Sequence, residues 1–175
     1  MMNKSELRFT KPAIRILENE HRYLSYLMEE WHAIVLLFER EKMSLEEGRR
    51  QLDKLRTQIT NFMKPLKKHT DKEDRYFLPL LGNYIGLEQG PIVGIQEEHR
   101  EIDGYIGHFL HYTEGNTDLL SLGEIQAAVK DAGEAFEVLT VHFMKEENVL
   151  FEMAETQITE ADHKKLSEKL NTLIT

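Results

Sequence analysis

Two stretches of this chain share one plan: His69-Thr-Asp-Lys-Glu73 and His142-Phe-Met-Lys-Glu146 each set a histidine four residues ahead of a glutamate. On an α-helix, positions i and i+4 lie on one face about 6 Å apart along the axis, so an imidazole and a carboxylate can address one point in space. That is a metal-ligand geometry. Upstream of each pair stands a further histidine preceded by glutamate, Glu20-His21 and Glu98-His99. The chain therefore reads as two copies of the order His, then His-x-x-x-Glu, and two copies could make a two-metal site.

The apolar pattern around these motifs is helical. With Thr10 as N-cap and Pro12 in the first turn, a seam steps by threes and fours through Ile14, Leu17, His21, Leu24, Met28, Trp31, Val35 and Phe38. Ser44 and Glu47 read as a capping box opening a second helix, whose seam carries Leu52, Leu55, Ile59, Phe62, Leu66, His69, Glu73, Tyr76 and Leu80. Pro65 lies inside that pattern and reads as a kink rather than an end. Gly82, Gly86 and Gly90-Pro91 punctuate the chain before a third seam of Ile92, Ile95, His99, Ile102, Ile106 and Phe109. Ser121 and Glu124 form a second capping box, and the fourth seam runs Ile125, Ala128, Ala132, Ala135, Leu139, His142, Glu146, Val149 and Met153. Thr159 caps a short last helix whose Leu166 and Leu170 pack on the bundle from outside.

The expected fold is all-α: one domain over residues 1–175, with helices near 11–42, 45–81, 91–113, 122–155 and 160–172. The first four make an up-down-up-down antiparallel four-helix bundle, with a short C-terminal extra helix. In an antiparallel hairpin, two residues at equal height lie equally far from the turn between them. The midpoint between His21 and the His69/Glu73 pair falls at residues 45–47, beside Ser44. The next falls at 84–86, in the glycine-rich link, and the last at 121–122, at Ser121. All six side chains thus reach one layer of the core.

Six such groups in one layer need compensation, because an unpaired buried polar group costs about 2 kcal/mol or more and an ionised glutamate far more. No lysine or arginine lies on the seams to neutralise them, whereas a pair of divalent or trivalent cations does so directly. A polar network that fixes helix register without metal is the alternative. Zero cysteines exclude disulfides, thiolate sites and a cysteine nucleophile, leaving imidazoles and carboxylates as ligands. With 31 acidic against 22 basic residues, the net charge of −9 disfavours a nucleic-acid or anionic-membrane partner. The N-terminal stretch Met1-Met-Asn-Lys-Ser-Glu-Leu-Arg8 lacks the apolar core of a signal peptide, and no apolar run is long enough to span a bilayer. A cytoplasmic protein is expected.

The pattern of His21, His69, Glu73, His99, His142 and Glu146 resembles that of the hemerythrin-like, or HHE cation-binding, family, and the likeness covers essentially the whole chain through the fourth helix. The resemblance implies two iron ions inside the bundle, bridged by two carboxylates and an oxo or hydroxo group, with histidines as terminal ligands. Carried over, Glu73 and Glu146 are the bridges, His21 and His69 hold one ion, and His99 and His142 hold the other. Imidazole mixed with carboxylate suits iron, with manganese as the alternative, and groups such as Tyr76 would tune the site from outside.

Two departures limit the carry-over. Oxygen-carrying hemerythrins have His-x-x-x-His on the third helix, whereas here the residue four after His99 is Asp103, either a terminal ligand or a solvent-facing carboxylate. Their fourth helix steps five residues to an aspartate, where this chain has His-x-x-x-Glu. The family's di-iron repair proteins also carry a cysteine-bearing N-terminal region that this chain lacks. The remaining histidines, His32, His108, His111 and His163, fall off the seams and are expected at the surface or rim. Glu20 and Glu98 are expected to be rotated away from the seam, Tyr23 and Tyr26 to lie outside the bundle, and Glu29-Glu30 and Glu46-Glu47 to be solvated. Three functions fit: a di-iron protein that binds or senses oxygen, nitric oxide or peroxide, with a protein partner if it is a sensor; a di-iron redox or iron–sulfur-cluster repair enzyme; or a metal-free helical interaction module.

Overall fold

The computed structural model describes residues 6–88 and 90–175; residues 1–5 of the N-terminal stretch read above for a leader lie outside the described residues. The described residues are helical, without a strand, in the order α1 (Pro12–Arg40), α2 (Leu45–Lys72), a π-helical turn (Glu73–Phe77), α3 (Leu78–Ile85), α4 (Pro91–Tyr112), a 3-10 turn (Thr117–Leu119), α5 (Leu122–Lys145), a second π-helical turn (Glu146–Phe151), α6 (Glu152–Gln157) and α7 (Glu160–Leu170). The contacts run in opposite senses along each neighbouring pair. His21 meets His69 while Trp31 meets Phe62, so α1 and α2 are antiparallel. His99 meets His142 while Tyr112 meets Glu124, which orients α4 against α5 in the same way. Four long antiparallel helices close the bundle, and α7 packs on α1 from outside.

The ends of the helices are written locally. The Ser121 hydroxyl accepts from Glu124 N while Glu124 returns a carboxylate to Ser121 N, a complete capping box. At Ser44 only half of the expected box forms: the hydroxyl accepts from Glu47 N, but the Glu47 carboxylate turns instead to Gln51 and Arg50. Thr159 caps α7 as expected. Thr10 does not cap α1; Lys11 holds that position without a side-chain bond, and Glu155 from across the bundle accepts from the backbone N–H groups of Thr10 and Lys11. α2 continues unbroken through Pro65. Gly82 lies inside α3 rather than ending a helix, because Leu87 folds over it: a Cβ there would stand 2.2 Å from Leu87 Cδ2. The turn comes at Gly86, whose φ of +93° is the left-handed region that favours glycine.

The two π turns change which residues face inward. Leu78 N–H reaches Glu73 O, five residues back, so one extra residue enters the turn and everything after it rotates. The expected seam residues Tyr76 and Leu80 are only half-buried, while Phe77, Leu78 and Leu81 fill the core. The second copy repeats the shift: Val149 is exposed, and Leu150, Phe151 and Ala154 are buried.

Two apolar layers result. The upper layer holds Leu24, Trp31, Phe62, Leu66, Ile102, Phe109 and Leu139; the lower holds Leu17, Phe77, Ile95, Leu150, Phe151 and Leu166. On every long helix the site histidine falls between a residue of one layer and a residue of the other. Each fully buried side chain in these layers stabilises by about 1.5–3 kcal/mol relative to exposure. The polar layer sits between two apolar caps that hold the helices in register.

Candidate metal centre

Six buried side chains from four helices meet in that middle layer. One group comprises His21, His69, Glu73 and Glu146, and the other Glu73, His99, His142 and Glu146; within each, one candidate ligand atom per residue lies within 4.8 Å of all the others. Glu73 and Glu146 belong to both. His69 Nε2 stands 3.0 Å from Glu73 Oε1, His21 Nε2 3.7 Å from Glu146 Oε2, and His99 Nε2 3.7 Å from Glu73 Oε1. His142 Nε2 closes on Glu146 Oε1, and the Nε2 atoms of His99 and His142 are 3.2 Å apart.

Apart from the hydrogen bond between the His99 and His142 Nε2 atoms, these approaches are close without being bonded. Among the described residues, His21 Nε2, His69 Nε2 and both oxygens of Glu73 and of Glu146 have no hydrogen-bond partner, although all are buried. Each orphaned buried polar atom costs about 1–3 kcal/mol, so six of them in one layer would rival the net stability of a domain. Two cations placed among them would remove that cost, and a nitrogen–oxygen donor set of this kind suits first-row transition metals. The residues fit a pair of metal ions.

The opposite ring nitrogens are all engaged. His69 Nδ1 lies 2.8 Å from Glu20 Oε1, and His142 Nδ1 lies 2.9 Å from Glu98 Oε2. His21 Nδ1 is 3.2 Å from Glu147 Oε1, and His99 Nδ1 is 3.0 Å from Asp74 Oδ1. A carboxylate facing Nδ1 accepts a hydrogen bond from Nδ1–H, keeping the ring proton there and leaving Nε2 with the free lone pair, the arrangement that orients and strengthens a ligating histidine. The pattern obeys the repeat: each accepting carboxylate belongs either to the residue before a helix-one or helix-three histidine, or to the residue after a motif glutamate.

Charge in the layer follows from this packing. Burial works against a charged His69, but Glu73 and Glu20 outweigh it and raise its pKa to about 9. Burial likewise opposes ionised Glu73, yet His69, with His99 and His21 behind it, brings its pKa down to about 2. Burial lowers His142 to about 4 and lowers His21, whereas Asp74 and Glu73 overcome burial and raise His99. Without metal, a proton on His69 is the countercharge to Glu73.

Several sequence expectations change. Glu20 is buried and Glu98 half-buried; each sits one helical step off the seam and so faces the neighbouring helix, where it reaches that helix's histidine. A lysine does lie in the layer: buried Lys72 bonds Glu20 Oε2 at 2.6 Å. Asp103 is exposed and belongs to neither group; it lines a cleft of about 630 Å³ beside His99, together with Lys67, Asp71, Asp74 and Arg100. His163 is buried, with Nε2 2.9 Å from the Ala154 carbonyl. His108 and His111 are exposed, and His32 stacks on Phe136 at the rim. Tyr76 packs against the lower apolar layer, with the Lys169 ammonium 6.0 Å from its ring. The duplicated Glu-His and Lys-Glu-acid contexts were the signal for these outer groups.

The hemerythrin HHE cation binding domain matches residues 12–154. The chain belongs to that family. No curated protein and no solved structure gives a significant match to it. No helix among the described residues is long and apolar enough to cross a membrane.

Proposed function

We propose that the chain holds two iron ions in its middle layer, with manganese as the alternative metal, and uses them to bind or sense oxygen, nitric oxide or peroxide. Glu73 and Glu146 bridge the two positions. His21 and His69 complete one, and His99 and His142 complete the other. The observation that carries this reading is the set of inward-facing Nε2 and carboxylate atoms, with the Nε2 of His21 and of His69 and all four carboxylate oxygens unpartnered among the described residues, backed by a carboxylate on every Nδ1. When bound, an iron pair supplies one-electron redox chemistry and open coordination for a small ligand.

The chain's own residues prepare that site. Phe143 and Phe151 stack on His21, with ring centroids 4.2 and 5.2 Å away, and hold its ring in place. His99 is the most exposed of the four histidines at 7 % and lines the cleft shared with Asp103, which gives a diatomic molecule or peroxide a way in.

Metal analysis of protein made under iron-replete conditions and purified without oxygen tests the proposal. Two iron or manganese ions per chain are expected, since the ligands divide into two sets with shared carboxylates. Stoichiometric zinc alone, or no metal, overturns it.

A further inference from the structure

The outer groups repeat as a relay. In one half Lys72 holds Glu20, which holds His69; in the other Lys145 holds Glu98, which holds His142. The two relays come from the same motif positions, so their environments can be compared directly. Lys145 is 56 % exposed and, among the described residues, bonds Glu98 alone. Lys72 is 7 % exposed, and all three of its N–H groups are used: on Glu20 Oε2 at 2.6 Å, on Leu170 O at 2.8 Å, and on Thr172 O. An ammonium has three donors, and burial without three acceptors would be costly.

The acceptors come from the end of α7. A helix leaves its last carbonyls without intrahelical partners, and the negative end of its dipole favours a cation there. Leu170 is the last residue of α7, and it is buried in the lower apolar layer with Leu166. Four residues on, Ile174 is buried in the upper apolar layer. The stretch 170–174 therefore crosses the level of the metal layer along the outside of the bundle, anchored above and below it.

We propose that α7 and the residues just after it form a clasp on the His21/His69 metal position, with Lys72 as the positioning residue that transmits the hold through Glu20 to His69. This rests on the metal-site reading given above. With the clasp closed, Lys72 has its acceptors and fixes the Glu20 carboxylate, whose other oxygen sets the His69 ring. With it open, the ammonium must leave for water, and Glu20 loses the partner that aims it. The His99/His142 position has no such dependence, because solvent already serves Lys145. Coupling is reciprocal, so metal on His69 also tightens the stretch 170–174 and gives the outer face of the bundle a signature of the site's occupancy.

Two measurements on the metal-loaded full-length chain test this: anaerobic transfer of iron to a colorimetric ferrous chelator, and hydrogen exchange of residues 167–174 with and without metal. Transfer from the wild type is expected in two phases. Lys72→Met should speed the slow phase by about 10-fold or more, the scale on which outer partners of a ligating histidine act, while Lys145→Met leaves it within about twofold. Ile174→Asp, which changes none of the candidate ligands, unseats the stretch while keeping Lys72 and should reproduce the Lys72→Met rate; it carries the test if Lys72→Met does not fold. Removing the metal should raise exchange across 170–174 in the wild type. Equal effects of the two lysine substitutions, or exchange indifferent to metal, overturn the clasp while leaving the metal site intact. A wild type that binds no metal overturns both.

Discussion

Asp74 Oδ1 sits 3.0 Å from His99 Nδ1, and Asp74 is the residue immediately after Glu73. One helix thus contributes a candidate shared carboxylate and, one position on, the group that aims a histidine of another helix. Glu147 does the same for His21 after Glu146. Asp74→Asn and Glu147→Gln should weaken metal binding by about 10- to 100-fold, because each leaves a proposed ligand ring less well held. Neither should unfold the metal-free chain, since both side chains are partly exposed. Competition titration against a chelator of known affinity measures the first effect, and thermal melts of the stripped variants measure the second.

His142→Ala removes one of the buried imidazoles without touching a helix cap. Metal content should fall sharply, and the melting temperature should then respond less to added iron than that of the wild type, because a ligand that binds only the folded chain stabilises it by an amount that grows with the ratio of its concentration to its dissociation constant. Metal analysis beside melts with and without ferrous iron decides it. Unchanged metal content would remove His142 from the ligand set.

The sequence made the middle layer legible because ligands must lie on helix faces at fixed spacings, and a spacing is a sequence property. The six seam residues, the three hydroxyl caps and the antiparallel order all follow from local rules of that kind. What it hid depends on contacts between helices. Glu155 reaches Thr10 and Lys11 from across the bundle, and Lys72 finds its acceptors at the end of α7. The π turns are hidden for a different reason: regular helical periodicity carried through Glu73 and Glu146 puts Tyr76 and Val149 inward, whereas the inserted residue brings Phe77 and Leu150 there. Both insertions start at a motif glutamate, so the departure from regular helix falls at the site itself.

Glu155 offers a pH-dependent prediction away from the metal layer. Its carboxylate accepts from Thr10 N at 2.6 Å and from Lys11 N at 3.2 Å, and serves as the missing cap of α1. Burial opposes its charge, but the bonds from Thr10 and Lys11 prevail and hold its pKa below the ordinary 4.5. A lowered carboxylate stabilises the fold fully above its unfolded pKa and loses that contribution as pH falls below it. Glu155→Gln should therefore melt below the wild type at pH 7, by the equivalent of about 1 kcal/mol for a lost helix cap. The gap should narrow as the pH is taken below 4.5. Paired melts of metal-free protein across that range test the sign, and a gap that widens toward acid would contradict it.

Asp103 separates this chain's site from one that merely lists acidic residues near a histidine. It follows His99 by one helical turn, the spacing at which His69 and His142 are followed by Glu73 and Glu146, yet it stands exposed in the cleft while those two are buried. The difference lies in what surrounds the position: Ile102 and Ile106 take the inward face of α4 at that height and pack into the upper apolar layer, so Asp103 is left at the edge. A carboxylate so placed has water as its partner and needs no metal to compensate it. Asp103→Asn should leave metal content unchanged, whereas Glu73→Gln, which replaces an ionised oxygen shared by both groups, should cost metal at both positions. Metal analysis of the two variants side by side gives the answer. Loss of one ion per chain in Asp103→Asn would return Asp103 to the ligand set and require α4 to turn toward the core when loaded.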